Sequence, residues 1–415
     1  MLQPPRKNRT FLGCVGAGLA LVAASLAGCG SGNGAGSGGG SGGTGGGAGQ
    51  PVTSLSAPVP MNLYAVDGTS SNPARLFIFV TAVGSNTVKM PLAFDTGSAG
   101  ITLNALPIFP SSMVGSSGFI FAGGESSISY NGITVTQLQG TRSYGGPSGH
   151  TEIGNLGFAT LTFGDAKGLM TTQMMPVFLY YAIQSNANPP QPVPAETQDG
   201  WFGVNDAPNL IKLSSGTSNA PACTQTVTGS CWVGSVFKYL QFAAGVDAGF
   251  TMSPLKVQTC DISSGNCVPS GALTVGLDSS SASGFTLTGL PCPPSGYTGP
   301  SQINGYPVCQ EYVPGTAITM SGSSTETFTT PVLFDTGTPY FVLNVPAAAM
   351  LPASISSFQT TTPGGFVYTA EAGTDLFAVH VQQASGTTSG SIMGLGYFQT
   401  NSLLTDFTTG LQGWK

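Results

Sequence analysis

Residues 91–105 read PLAFDTGSAGITLNA, and residues 331–345 read PVLFDTGTPYFVLNV. Aligned without gaps, seven of the fifteen positions are identical: Pro, Phe, Asp, Thr, Gly, Leu and Asn. Two F-D-T-G stretches in matched surroundings do not arise by chance in a chain of this composition, so the repeat marks a duplication. Each copy is a strand running into a tight turn that carries one aspartate. Duplicated lobes tend to pack about a pseudo-twofold axis, which would bring the two equivalent turns together and set Asp95 facing Asp335.

The composition narrows the remaining possibilities. Of 415 residues, 61 are Gly and 30 are Pro, and charged residues make up only 7%, against about 25% in an average soluble domain. With 40% hydrophobic residues, disorder driven by low hydrophobicity and high net charge is excluded for most of the length. Eleven Lys and Arg against seventeen Asp and Glu give a net charge of −6, and Arg6, Lys7 and Arg9 lie in the first ten residues. That leaves no basic face able to displace counterions from phosphates, so nucleic acid is excluded as a partner. The two histidines, His150 and His380, are too few for a His-rich metal site, and no metal is expected. His150 reads as a surface or turn residue and His380 as structural.

The chain divides by composition. Residues 1–28 read as a secretory signal, with a basic start and an apolar run from Phe11 to Leu26 that is too short to span a membrane. The run ends in Leu26-Ala27-Gly28-Cys29, which looks like a bacterial lipobox with Cys29 as the lipidated residue. Residues 29–50 are Gly/Ser-rich and form a flexible tether reaching about 25 Å. The expected location is therefore the bacterial envelope, lipid-anchored, in the outer membrane and facing the periplasm or the cell surface. Residues 51–205 are expected to form an N-terminal lobe and 206–415 a C-terminal lobe, since about 350 residues exceed what one core usually holds.

Short runs rich in Val, Ile, Phe, Thr and Tyr predict strands over Leu76–Val83, Gly132–Leu138, Phe158–Phe163, Ala272–Leu277 and Phe366–Thr369. Ser235–Ala244 and Pro346–Leu351 are the helix-like pieces, and 185–198 and 206–230 read as long surface loops. Cys14 leaves with the signal and Cys29 carries lipid. The other six cysteines allow fifteen pairings, and three local bridges are expected in an oxidising compartment: Cys223–Cys231, Cys260–Cys267 and Cys292–Cys309.

Taken in order, these segments resemble the pepsin-like aspartic peptidases over nearly all of 60–415. Asp95-Thr96-Gly97-Ser98 and Asp335-Thr336-Gly337-Thr338 look like the two catalytic turns of that family. Ser143-Tyr144-Gly145-Gly146-Pro147-Ser148-Gly149 is similar to the flap hairpin, with Tyr144 as its tyrosine and Tyr130 as the rival. Asp199-Gly200-Trp201-Phe202-Gly203-Val204 and Ser391-Ile392-Met393-Gly394-Leu395-Gly396 resemble the segments that close each lobe around its turn. The resemblance implies an all-β, bilobal double β-barrel with a cleft between the lobes.

The chemistry follows from the residues themselves. Two carboxylates sharing one site cannot both ionise cheaply, so one of the pair keeps a proton. The ionised partner can then deprotonate a water that attacks a peptide carbonyl, while the protonated partner donates to the oxygen. No cofactor is required. Gly97 and Gly337 let the opposite turn approach, and Ser98 and Thr338 are placed to donate to the carboxylates. Tyr144 and Gly145, on a mobile hairpin, would close over the substrate. The expected function is an anchored, monomeric aspartic endopeptidase acting on polypeptide in the inter-lobe cleft. A pepsin-fold binding module with a silent dyad stays open as the alternative. Two departures from the family stand out. Thr102 occupies the place of the tryptophan that usually bonds the flap tyrosine, so the flap must be anchored differently. The segment Pro51–Leu63 is also too short and uncharged for an inhibitory pro-segment.

Overall fold

The computed structural model describes residues 51–67, 74–145, 149–194, 199–213, 220–259, 261–262, 267–347, 349–373, 375–383 and 390–415. The signal segment, Cys29 and the tether lie outside these residues, as does Cys260. Among the described residues no segment is an α-helix. The strands follow from alternation: in Arg75–Val83 the side chains of Leu76, Ile78 and Val80 are buried while their neighbours are half-exposed, because successive side chains leave a strand on opposite faces.

One antiparallel run of neighbours gathers both halves of the sequence. It passes from Thr286–Gly289 through Leu411–Trp414, Leu403–Asp406, Asp247–Met252, Gly271–Leu277 and Val59–Val66 to Arg75–Val83. These strands belong to a sheet system that closes on itself as a barrel. A separate seven-stranded sheet holds the second Asp-Thr-Gly segment. Its order is Val367–Glu371, Ile355–Thr361, Val313–Gly322, Thr325–Phe334, Ser391–Met393, Phe341–Val345 and Val379–Gln383.

The sequence repeat is also a repeat of topology. The strand Asn86–Asp95 enters the first turn and Ala99–Asn104 leaves it. Gly200–Val204 inserts between the two, parallel to the first with Phe202 opposite Phe94, and antiparallel to the second with Gly203 opposite Gly100. In the second copy Ser391–Met393 inserts in the same way between Thr325–Phe334, with Met393 opposite Phe334, and Phe341–Val345, with Ile392 opposite Val342. Each turn is thus pinned by backbone hydrogen bonds on both arms. The phenylalanine before each aspartate is the anchor beneath it. Phe94 is fully buried among the rings of Phe202, Phe237 and Phe250, and Phe334 packs on Tyr397 and Trp414 at 4.9 and 5.1 Å.

Several local expectations are corrected. The predicted Phe158–Phe163 strand is two strands, His150–Ala159 and Leu161–Asp165, broken at Thr160. Within the expected loop 206–230, Asn209–Leu213 is a strand with Ile211 and Leu213 buried; it pairs with Cys231–Val233 and, at Lys212, with Thr141 of the hairpin. Ser235–Ala244 is not a helix but a single 3-10 turn, Val236–Tyr239, followed by the short strand Gln241–Phe242. Here Lys238 is wholly buried and donates to the Asp206 carboxylate and to the backbone oxygen of Pro307 at 2.7 Å, so the turn is held by a buried ion pair and not by helical continuation. Among the described residues of Pro346–Leu351 there is no helix either, since Pro346 and Pro352 bracket too few residues to close several turns. The bridges Cys223–Cys231 and Cys292–Cys309 are formed as expected.

Candidate active site

The two turns meet through a reciprocal set of hydrogen bonds. The Thr96 hydroxyl donates to the backbone oxygen of Phe334, and the Thr336 hydroxyl to that of Phe94, both at 2.7 Å. In return the Thr336 N–H donates to Thr96 Oγ1 at 3.0 Å and the Thr96 N–H to Thr336 Oγ1 at 3.1 Å. Each hydroxyl is used twice, as donor and as acceptor, over a local twofold relation. All are buried, so the bonds are made in a medium where leaving them unmade costs most.

That lock sets the carboxylates against each other. Asp95 is 4% and Asp335 7% exposed. Each receives the same pair of local donors. Gly97 N–H and Ser98 hydroxyl reach Asp95 at 2.8 and 2.5 Å. Gly337 N–H and Thr338 hydroxyl reach Asp335 at 2.7 and 2.5 Å. A Cβ at Gly97 would lie 2.4 Å from Asp335 Cγ, and one at Gly337 would lie 2.6 Å from Asp95 Oδ1. Only glycine, therefore, lets each turn press on the opposite carboxylate. Burial and then the Asp335 charge push the Asp95 carboxyl well above the usual carboxylate range, against the lowering effect of Ser98 and Gly97. The pair thus retains a proton that a lone surface aspartate would lose, which is the state a general acid and base sharing one water requires. Further back, burial and Asp335 raise the Glu311 carboxyl to about 7.

Above the dyad the strands Ile133–Tyr144 and His150–Ala159 form the expected hairpin, with Tyr144 opposite His150. Gly145 follows at φ 69°, and 146–148 lie outside the described residues. Tyr144 lines the cavity, whose volume is about 600 Å³, together with Gly145, Asp95 and Asp335. With Thr102 present, the flap is expected to be anchored differently, and its ring rests on Trp201, stacked at 4.7 Å and 16°. Thr102 is fully buried, accepts from the backbone N–H of Trp201 at 3.1 Å and donates to Glu152 at 3.1 Å. The indole is carried by the Gly200–Val204 strand, where Trp201 lies opposite Thr102. The Arg142 guanidinium lies 5.3 Å from the Tyr144 ring centre, a favourable cation–π distance.

Two readings of the sequence are overturned here. His150 is neither a surface nor a turn residue. It lines the cavity, its ring lies 5.6 Å from Tyr144 and 6.1 Å from Trp201, and its Nε2 is 3.8 Å from Glu152. Tyr130 is no rival to Tyr144. It ends the strand Ser127–Tyr130 beside the Asn131-Gly132 turn and packs on Phe109. His380 sits on the strand Val379–Gln383, with its ring 4.0 Å from Tyr340. Sequence reasoning missed Arg75, Trp201 in its flap-holding role, Asn209 and Tyr340, all of which line the cavity. Arg75 had one available signal, a cation at the head of an apolar strand in a chain that has few cations.

No protein-family profile matches the sequence, and no curated protein matches it. Among solved structures the chain is similar to the aspartic proteinase from Irpex lacteus, with a TM-score of 0.52 and 16% identity over 86% of this chain and 97% of that one. At that identity the likeness establishes the fold: all-β, of the pepsin-like aspartic proteinase type.

Two measurements follow from the dyad geometry. Gly97→Ala should force Asp335 aside and lower the denaturation midpoint; a midpoint equal to that of the wild type in chemical denaturation would contradict the close approach. The pH dependence of stability has a defined sign. The folded Asp95 pKa lies above its unfolded value of about 3.9, so the folded state binds more protons and stability falls as pH rises from there through the folded pKa. Asp95→Asn should flatten this fall in chemical denaturation series; an equally steep fall would show that the dyad is not its source.

Proposed function

We propose that this chain is an aspartic endopeptidase that hydrolyses extended polypeptide in the cavity under the Tyr144 hairpin. The observation that carries the reading is the symmetric dyad: two buried carboxylates, each bonded to one N–H and one hydroxyl of its own turn, each pressed against the opposite glycine. An adventitious pair of turns has no reason to hold like charges together at the expense of desolvation.

In the mechanism this supports, the ionised carboxylate takes a proton from water as the water oxygen bonds to the scissile carbonyl carbon. The protonated carboxyl gives its proton to the carbonyl oxygen. The tetrahedral diol then collapses, the C–N bond breaks, and a proton passes to the leaving amine. No covalent bond to the protein forms. The hydrogen bonds from Ser98 and Thr338 keep both carboxylates oriented through the exchange. Closure of Tyr144 excludes bulk water from the dyad.

In this reading the chain acts as a monomer at the bacterial envelope, held by a lipid on Cys29, with the tether keeping the catalytic body clear of headgroups. The sequence features of residues 1–50 support that placement. Mass spectrometry of the mature chain should find a diacylglyceryl group on Cys29 that is lost in Cys29→Ser; an unmodified Cys29 would remove the anchor from the proposal.

The purified protein should cleave a denatured protein at mildly acidic pH and be inhibited by a statine-type compound. Asp95→Asn or Asp335→Asn should lower kcat by about 10²- to 10⁴-fold, the range of acid–base contributions. Intact substrate across the acidic to neutral range, with no inhibitor bound, would refute the peptidase; tight binding of uncut polypeptide would favour a silent binding module instead.

A further inference from the structure

The cavity carries a cation that no described carboxylate pairs with. Arg75, the first residue of the strand Arg75–Val83, is half-buried and lines the cavity beside Asp95, Trp201 and Asp335. Its guanidinium carbon lies 5.7 Å from the Trp201 ring centre. One nitrogen, Nη1, donates to the backbone oxygens of Ala74 at 3.3 Å and Gly337 at 3.4 Å, both at the weak end of the hydrogen-bond range. The ion pairs among the described residues are His150–Glu152 and Lys238–Asp206; Arg75 enters neither. Its Nε and Nη2 donors make no hydrogen bond to the described residues.

A half-buried guanidinium is costly to desolvate and is most often repaid by a bidentate carboxylate. Here it is held in place, by an indole face on one side and a carbonyl of the opposite catalytic turn on the other, while part of its donor fork stays unused. Burial lowers the Arg75 pKa, and the negative charge of Asp335 and then Asp95 opposes this. A guanidinium remains protonated in such surroundings.

We propose that Arg75 is the anchor of an acid-selective subsite: the enzyme prefers polypeptides with an aspartate or glutamate close to the scissile bond, whose carboxylate is received by the Arg75 guanidinium against Trp201. The proposal rests on the peptidase reading for its kinetic form and on Arg75 alone for its binding form. The pH requirements of the two sites are compatible. A free glutamate side chain ionises near pH 4.3, whereas the buried Asp95 carboxyl holds its proton to higher pH. Acidity mild enough to leave a substrate glutamate ionised is therefore compatible with a proton kept on Asp95.

The test uses the purified full-length chain in detergent at about pH 5.5, where a substrate glutamate is ionised. Short fluorogenic peptides with one fixed hydrophobic pair at the cleavage site carry either Glu or Gln, moved in turn through the flanking positions. At one or two positions Glu should raise kcat/KM about tenfold over Gln, the scale of one charge-assisted hydrogen bond. In Arg75→Gln that ratio should fall to about one, and in Arg75→Lys it should be partly kept, since the charge remains but the fork is lost. Equal rates for Glu and Gln at every position, or a preference that survives Arg75→Gln, would overturn the proposal, and the wild-type series decides this even where a variant fails to fold. A parallel binding series on Asp95→Asn by calorimetry separates the two readings. A Glu preference in binding without any cleavage by the wild type would retain the subsite and discard the peptidase. Cleavage without a Glu preference would do the reverse.

Discussion

Four hydrogen bonds between Thr96 and the backbone around Thr336, and between Thr336 and the backbone around Thr96, hold this molecule in the form in which its other features make sense. Each threonine uses its hydroxyl as donor and acceptor at once, toward a turn that is distant in sequence. The bonds are buried, so breaking either threonine strands a carbonyl and an N–H away from water. The two carboxylates repel one another and resist desolvation. They stay adjacent because the turns that carry them are tied together by groups that would lose more by separating.

The same logic extends outward from the turns. Phe94 and Phe334 anchor the strand ends from below, and Gly200–Val204 and Ser391–Met393 hold both arms of each turn. Rigid support under the dyad is combined with a hairpin above it that places Tyr144 and Gly145 on the cavity. Such a division suits a site that must keep its reacting groups fixed while admitting a chain-like ligand.

The flap tyrosine is held by a neighbour from another strand. With threonine at position 102, the Tyr144 ring stacks on Trp201 from a neighbouring strand, and Arg142 and His150 lie within 5.3 and 5.6 Å of the same ring. The physical requirement is a flat apolar face near the flap tyrosine. Which strand delivers it is a matter of register, since Trp201 lies opposite Thr102 on adjacent strands.

The duplicated Phe-Asp-Thr-Gly segment, the strand-forming composition and the local cysteine pairs are written in the chain because each depends on neighbouring residues: turn chemistry, side-chain alternation and short loops. From them the all-β pepsin-like fold and the meeting of Asp95 with Asp335 could be read directly. The contacts that join distant segments could not. That Trp201 stacks on Tyr144, that His150 turns into the cavity, that Lys238 is drawn inside by Asp206 instead of continuing a helix, and that Arg75 reaches the opposite turn depend on which residues the sheet register brings side by side. Register is fixed by the burial of whole faces at once, so no local stretch of sequence carries it.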